Sequence, residues 1–168
     1  EVLVTNDDGI GSDGIDAIVE ALRGESGVAV TVVAPATNQS GSGDALTPGG
    51  ATGSPGSTAS GFGGTAVAGT PADSVRYALA NLSLSPDLVV SGINDGQNMG
   101  PPTDVSGTVG AARTAARGGV PAVATSQGGL TVDPDFDSGV AVTLEWFEEF
   151  RLGETGTFER EVANINTP

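Results

Sequence analysis

The sequence contains no cysteine, no histidine and no lysine. Without cysteine, the chain cannot form a disulfide or hold a metal through thiolates. Without histidine, it has no imidazole to serve as a catalytic base or metal ligand, so a bound metal must be a hard ion held by oxygen atoms. No apolar run is long enough to span a membrane and no signal peptide is recognisable, so we expect a cytoplasmic protein with no membrane partner.

Positive charge is also scarce. The only bases are six arginines, which stand against 21 acids and leave a formal net charge of −15. A surface that binds duplex nucleic acid needs clustered bases to neutralise phosphates, so we expect no nucleic-acid duplex as a partner. The same acidic excess suits concentrated salt, where self-repulsion between charges is screened. We therefore expect an acidic, halophilic protein.

The order of apolar runs predicts an α/β fold with a parallel sheet. The 168 residues suffice for one domain, which we take as 1–168. A strand pattern at 2–5, a helical pattern from residue 15 to residue 22 and a second strand pattern at 28–34 make a βαβ unit. Further strands are predicted at 65–69, 87–94, 120–126 and 162–166, and further helices at 70–82, 109–117 and 136–150.

Residues 48–64 interrupt this pattern. They consist mainly of glycine, serine, threonine, alanine and proline, and Phe62 is their only large side chain. Such a composition offers little apolar surface to bury. We expect an exposed excursion or a mobile flap here.

Polar side chains follow two of the predicted strands. Asp7 and Asp8 come directly after the first strand, and Asn94 ends the strand at 87–94. Ligands of open α/β sheets bind at the carboxyl ends of the strands, and two adjacent carboxylates there need a cation or a proton between them. An amide oxygen such as that of Asn94 is an apt neutral ligand for a hard divalent ion. The alternative is an ordinary solvated turn, because Asp, Asn and Gly are common turn residues.

Two further segments suit an anion. The loop 38–43 is rich in small polar groups, whose N–H groups and hydroxyls can bind an anion or a metal, although a plain flexible loop has the same composition. Ser106, Gly107 and Thr108 open a helix, and free N–H groups at a helix start suit phosphate binding. An ordinary serine N-cap is the alternative at that position.

Together these segments resemble the SurE family, which comprises metal-dependent 5'/3'-nucleotidases also described as acid phosphatases. The matching motifs occur in the order of the family and spread over nearly the whole chain. They are TNDDGI (5–10), VVAP (32–35) with NQSG (38–41), GTPAD (69–73), VVSGIN (89–94) with residues 96 and 98, and SGTVGAA (106–112).

The resemblance implies a fold and a set of site residues. The fold is a Rossmann-like three-layer α/β/α sandwich with a mostly parallel sheet. The cofactor is a divalent metal ion, Mg²⁺ or Mn²⁺, with Ca²⁺ as an alternative occupant in a crystal. The expected metal ligands are Asp7, Asp8, Ser40 and Asn94. The residues expected to bind the phosphate or the rest of the substrate are Asn6, Asn98, Ser106, Gly107 and Thr108.

The implied activity is the hydrolysis of nucleoside monophosphates to nucleoside and phosphate. Asp7 and Asp8 are the expected catalytic residues, because one of them would orient or deprotonate the attacking water. Family members are usually longer, and we expect their C-terminal oligomerisation extension to be absent after Pro168. The resemblance leaves a homodimer or a tetramer open.

Two other functions compete with this one. A catalytically weak module that binds a nucleotide or metal at the same site is suggested by Asp44 and Asp95, which stand where the family often has histidine and arginine. A dinucleotide-dependent Rossmann enzyme is the second alternative. It is disfavoured because no Gly-x-Gly-x-x-Gly follows the first strand.

The charge balance predicts a salt response. With a net charge of −15, the folded state should gain stability as ionic strength rises, because screening relieves self-repulsion. The melting temperature measured from low salt to molar KCl should therefore rise. A melting temperature that stays flat or falls over this range would contradict the salt-adaptation hypothesis.

Overall fold

The first strand is the middle strand of the sheet. The computed structural model describes residues 1–128, 135–153 and 162–168. The strands described are β1 (Val2–Thr5), β2 (Val30–Pro35), β3 (Thr52–Ser57), β4 (Gly63–Ala68), β5 (Leu88–Asp95), β6 (Ala122–Gln127) and β7 (Val162–Thr167). Their order across the sheet is β3-β4-β2-β1-β5-β6-β7, and every pairing is parallel except that of β3 with β4.

Helices cover both faces of this sheet. They are α1 (Asp13–Gly24), α2 (Pro71–Arg76), α3 (Gly107–Arg117) and α4 (Asp137–Leu152); a π-helical turn, Tyr77–Asn81, continues α2, and a 3₁₀ turn, Pro101–Asp104, precedes α3. Val4 of β1 joins the core with α1 and α4, whereas its neighbour Leu3 joins the core with α2 and α3. Alternate side chains of β1 thus pack into cores on opposite faces of the sheet, and the three-layer α/β/α prediction is confirmed. None of the helices in the described ranges is long and apolar enough to cross a membrane.

The helix predicted at 70–82 begins as predicted, but its last residue is exposed. Thr70 and Asp73 form a capping box, and the Asp73 carboxylate also accepts bonds from the N–H and hydroxyl of Thr47. The same carboxylate therefore starts α2 and anchors the preceding loop. Val75 and Ala78 are fully buried, but Leu82 is 39% exposed. Leu82, the last residue of the predicted helix, lies just outside it, because the π-helical turn ends at Asn81.

The expectation of an exposed excursion or a mobile flap at residues 48–64 holds only in part, because most of these residues are exposed but the segment contains a paired strand. Residues 52–57 form β3, which pairs antiparallel with β4 at the edge of the sheet. Pro55 is tolerated in β3 because an edge strand has one side without a partner. The connection is tied to α1, since Ser60 donates from its N–H and its hydroxyl to Asp16 at 3.0 and 2.7 Å. Phe62 packs against the core, and the Arg23 guanidinium lies 4.5 Å from its ring centre.

Small residues bring α3 close to the sheet and to the loop at 40–43. The buried side chains of α3 are mostly alanine, so its axis can approach β5 and β6. A Cβ on Gly110 would lie only 2.1 Å from the carbonyl oxygen of Gly43. The loop is therefore pressed onto the first turns of α3, a contact that only glycine allows at position 110. This contact fixes one wall of the candidate site.

Candidate metal and phosphate site

The two adjacent acids lie where the sheet changes direction. From β1 the chain proceeds to β2 on one side, and later it returns to β5 on the other side. Such a switch point leaves a crevice beyond the strand ends, which is where ligands bind in open α/β sheets. Asp7 and Asp8 follow β1, and Asn94 lies near the end of β5, just after a register shift between Ser91 and Asn94.

Asp7 is turned towards the start of α3. It is 3% exposed, and its Oδ1 accepts a 2.6 Å bond from the hydroxyl of Thr108. The backbone N–H groups of Gly107 and Thr108 also donate towards this carboxylate. A Cβ on Gly107 would lie 2.7 Å from the Cβ of Asp7, so only glycine permits this approach. Burial raises the pKa of Asp7, and these bonds oppose the rise.

Asp8 is more accessible and is bound more weakly. Its Oδ1 accepts from the Asn38 side chain at 3.3 Å, and its Oδ2 accepts from the backbone N–H of Asp95 at 3.3 Å. Burial, followed by the charge of Asp7, raises the pKa of Asp8 from its ordinary 3.8 to about 6. The charge of Asp95 adds to the rise. The acid pair thus lies in an electrostatic environment that disfavours its own charge.

The loop after β2 meets these acids. The N–H of Gln39 donates to the carbonyl of Asp7 at 2.6 Å, and the N–H of Ser40 donates to Asn38 Oδ1 at 2.9 Å. Because the Asn38 amide also bonds Asp8, it connects the Ser40 backbone to the second acid. The hydroxyl-bearing Ser40 is exposed and lies within this network.

The fourth predicted metal ligand, Asn94, is held through its amide nitrogen. The Nδ2 of Asn94 donates to the carbonyl of Gly96 at 2.6 Å, so the Oδ1 of the same amide faces away from that bond. Asn94 adjoins Asp95, whose N–H bonds Asp8. The four predicted metal ligands therefore lie on three adjoining segments: the residues after β1 (Asp7 and Asp8), the loop after β2 (Ser40) and the end of β5 (Asn94).

The donor set fits a hard divalent ion. It consists of two carboxylates, one hydroxyl and one amide oxygen, which are the ligand types that Mg²⁺ and Mn²⁺ take. Among the described residues there is no cluster of three or more acidic side chains that could hold a metal. Neutral oxygens must therefore complete any coordination around Asp7 and Asp8.

The residues predicted to bind phosphate are spread over three places. Thr108 and Gly107 lie against Asp7, and the Ser106 hydroxyl accepts from the N–H of Val109 as the N-cap of α3. Asn98 lies against the last two strands, since its side chain donates to Ser126 at 3.0 Å and its N–H donates to Asn166 at 2.7 Å.

The amide of Asn6 is used inside the turn between β1 and α1. Its Nδ2 donates to the carbonyl of Gly9 at 2.9 Å and to the hydroxyl of Ser12 at 2.8 Å, while its Oδ1 accepts from the N–H of Gly9. Asn6 is fully buried. The bonds that the structure gives this side chain shape the turn which carries Asp7 and Asp8.

Asp44 and Asp95, the two positions that depart from the family pattern, have different effects on the acid pair. Asp44 pairs with Arg117 at 2.8 Å on the outer side of α3, and this guanidinium lowers the pKa of the Asp44 carboxyl. Asp95, in contrast, adjoins Asp8 and adds negative potential there. Asp44 therefore leaves the acid pair undisturbed, while Asp95 makes a bound cation more favourable.

One residue of the site was missed by sequence reasoning. The Oγ of Ser42 is buried and has no hydrogen-bond partner among the described residues, and it would lie 3.0 Å from a Cβ on Gly107. The polar loop 38–43 was recognised, but its composition does not tell which hydroxyl turns inward. That depends on how the loop packs on α3 through Gly43 and Gly110.

Fold and site together define a Rossmann-like α/β/α protein with an oxygen-ligand acid site at its switch point. The sequence profile of the family described as Survival protein SurE matches residues 2–168. This chain belongs to the SurE family.

Individual relatives agree with this assignment. The chain is 43% identical to the 5'-nucleotidase SurE of Desulfovibrio desulfuricans over 99% of its length, and 47% identical to that of Methanopyrus kandleri over 75% of its length. It covers 66% and 48% of those two proteins. The crystal structure of the SurE protein from Aquifex aeolicus superposes with a TM-score of 0.79 at 34% identity, covering 99% of this chain and 66% of that one. The chain thus spans about half to two thirds of the length of these relatives.

The raised pKa of Asp8 predicts how its neutralisation changes stability. Asp8→Asn should raise the melting temperature of the metal-free protein at pH 7 by about 2–4 °C, because it removes a repulsion of about 1 kcal/mol from a half-buried pair. The folded pKa of about 6 lies above the ordinary 3.8, so the folded state takes up this proton first as the pH falls. The free energy of unfolding of the parent protein should therefore decrease from about pH 4 to pH 6, and less so in the variant.

Asp13→Asn is the matched control, because it makes the same chemical change at an exposed position on α1. It should give no such rise in melting temperature. A destabilised Asp8→Asn protein would show that the Asp8 carboxylate supports the fold.

Proposed function

We propose that this chain is a metal-dependent phosphomonoesterase that hydrolyses nucleoside monophosphates to nucleoside and phosphate. One observation carries the proposal: two adjacent carboxylates lie at the switch point of the sheet, the buried Asp7 against the start of α3 and the half-buried Asp8 beside it. The names of the relatives, 5'-nucleotidase SurE, support the substrate class. Carboxylates alone would repel a phosphate, so the function also requires a cation.

Asp7, Asp8, Ser40 and Asn94 are the proposed ligands of that cation. A bound divalent ion would supply positive charge that offsets the acid pair and polarises the phosphoryl group. The acid pair has no other positive partner close by, because each of the five arginines in the described ranges lies in another part of the fold. Its unfavourable electrostatics support a cation requirement.

Asp7 and Asp8 have different proposed roles. Asp7 accepts bonds from the Thr108 hydroxyl and from two backbone N–H groups of α3, so its orientation is set by the helix. Within the described ranges, Asp8 accepts two bonds, both of 3.3 Å, and it is half-buried. Asp8 is therefore the carboxylate with an oxygen available to orient the attacking water and accept its proton. Asp7 is the positioning and ligand carboxylate.

The start of α3 is the proposed phosphate-binding element. Its first-turn N–H groups have no intrahelical partners, and the helix dipole favours an anion there. Ser106 and Thr108 add hydroxyls next to these groups. Because some of the first-turn N–H groups already face Asp7, phosphate binding at this helix start should depend on a cation that shields the carboxylate.

Several finer expectations stay predictions. They are the identity of the ion as Mg²⁺ or Mn²⁺, the contribution of Asn6 and Asn98 to substrate binding, a homodimeric or tetrameric assembly, a halophilic source and a cytoplasmic location. Asn98 bonds to β6 and to the Asn166 side chain of β7, so a contribution to binding would place the substrate across β5 and β6.

Phosphate release from a panel of 5'- and 3'-nucleoside monophosphates tests the proposal. Release should occur with Mn²⁺ and stop with a chelator. Asp8→Asn should reduce kcat by about 10²-fold or more, as expected for loss of a general base. Asp13→Asn, which removes an exposed carboxylate of the same type, should leave kcat near that of the parent protein.

Two results would contradict the proposal. Release that persists undiminished with the chelator would remove the metal requirement. Tight binding of a nucleoside monophosphate with no release at any Mn²⁺ concentration would instead identify a binding module.

A further inference from the structure

We propose that Ser42 binds the phosphoryl group of the substrate through its side-chain hydroxyl. This inference rests on the proposed function, because it assigns a further residue to the same site. Ser42 lies two positions after Ser40, which is one of the predicted metal ligands. Its hydroxyl belongs to the phosphate side of the site, between the loop and the start of α3.

The location of the hydroxyl carries the inference. A Cβ on Gly107 would lie 2.7 Å from Asp7 Cβ, 2.9 Å from Asp7 Oδ2 and 3.0 Å from Ser42 Oγ. The Ser42 hydroxyl and the Asp7 carboxylate thus flank the same point at the first residue of α3. This is the turn whose free N–H groups suit a phosphate oxygen.

The backbone holds Ser42 in this location. Its N–H donates to the carbonyl of Gln39 at 3.2 Å, and its own carbonyl accepts from Ala45 at 3.1 Å. The following residue, Gly43, donates to the carbonyl of Val105 at 3.0 Å, next to the N-cap of α3. Bonds on both sides therefore fix the loop, and the direction of the side chain follows from the fold.

The bonding state of the hydroxyl is unusual. Its oxygen is buried and makes no hydrogen bond within the described part of the chain. A buried hydroxyl without a partner is unfavourable, and most such groups in proteins are paired. A phosphoryl oxygen at the start of α3 would supply the missing acceptor, and the hydroxyl would donate to it as a charge-assisted bond.

The other buried hydroxyls that lack a partner in the described part of the chain have a different setting. Thr5 and Ser91 lie side by side within the sheet, and Thr167 ends the edge strand β7. Ser42 alone among these four is in the loop that meets the acid pair. Thr167 offers a matched control, because Thr167→Val removes an unpaired buried hydroxyl at nearly constant shape.

Calorimetric titration of inorganic phosphate in the presence of saturating Mn²⁺ tests the proposal. Ser42→Ala should raise the Kd for phosphate by about tenfold or more, as expected for loss of a bond to a charged group. It should leave the Kd for Mn²⁺ within about twofold of the parent value, and Ser42→Thr should restore phosphate binding. Thr167→Val should leave the Kd for phosphate unchanged.

The melting temperature provides a second measurement. Without ligand, Ser42→Ala should melt at or above the temperature of the parent protein, because it removes an unpaired polar group. With Mn²⁺ and phosphate, its stabilisation should be smaller than that of the parent. An unchanged Kd for phosphate, or a ligand-free variant that melts lower or fails to fold, would overturn the assignment.

The test separates this inference from the proposed function. If the parent protein releases no phosphate from any nucleoside monophosphate, the proposed function fails. If the parent releases phosphate and Ser42→Ala binds inorganic phosphate as tightly as the parent does, only the role of Ser42 fails.

Discussion

The burial of two adjacent carboxylates at the end of β1 is the constraint on which the site depends. The pKa values of Asp7 and Asp8 are raised, chiefly by burial, so folding disfavours the charged form of both carboxylates. What opposes the rise is neutral: the Thr108 hydroxyl, backbone N–H groups of α3 and the N–H of Asp95. Such dipoles reduce the repulsion without removing it, which leaves a site suited to a cation.

The described arginines do not neutralise the acid pair. Arg23, Arg113, Arg117 and Arg151 pair with surface acids, and Arg76 lines a cleft of about 380 Å³ between α2 and α3. Exposed ion pairs of this kind contribute little to stability. The five arginines of the described ranges therefore lie away from the acid pair, and a bound ion has a role that no described side chain fills.

Much of the fold could be predicted because its signals are local. The apolar spacing of Ile15, Ile18, Val19 and Leu22 predicted α1, and all four are fully buried. The Thr70-to-Asp73 cap also depends only on nearby residues. β3 could not be predicted, because its residues have low strand propensity and become a strand only by pairing with β4.

The candidate site, too, could be predicted only in part. Strand ends followed by Asp or Asn identified the segments that meet, since parallel strands deliver their carboxyl ends to one edge. The direction of each side chain was not predictable, because it depends on contacts between distant segments. The Asp7 carboxylate bonds to α3, whereas the Asn6 amide bonds within the turn between β1 and α1. Ser42 turns inward because Gly43 packs on Gly110, 67 positions further along the chain.

The central claim is that Asp7 and Asp8 jointly hold a divalent ion at the switch point. An anomalous difference map from crystals grown with Mn²⁺ tests this most directly. We expect one strong peak between the two carboxylates, with the oxygens of Ser40 and Asn94 completing the protein ligands. A peak at another location, or none at the acid pair when Mn²⁺ is saturating, would contradict the claim.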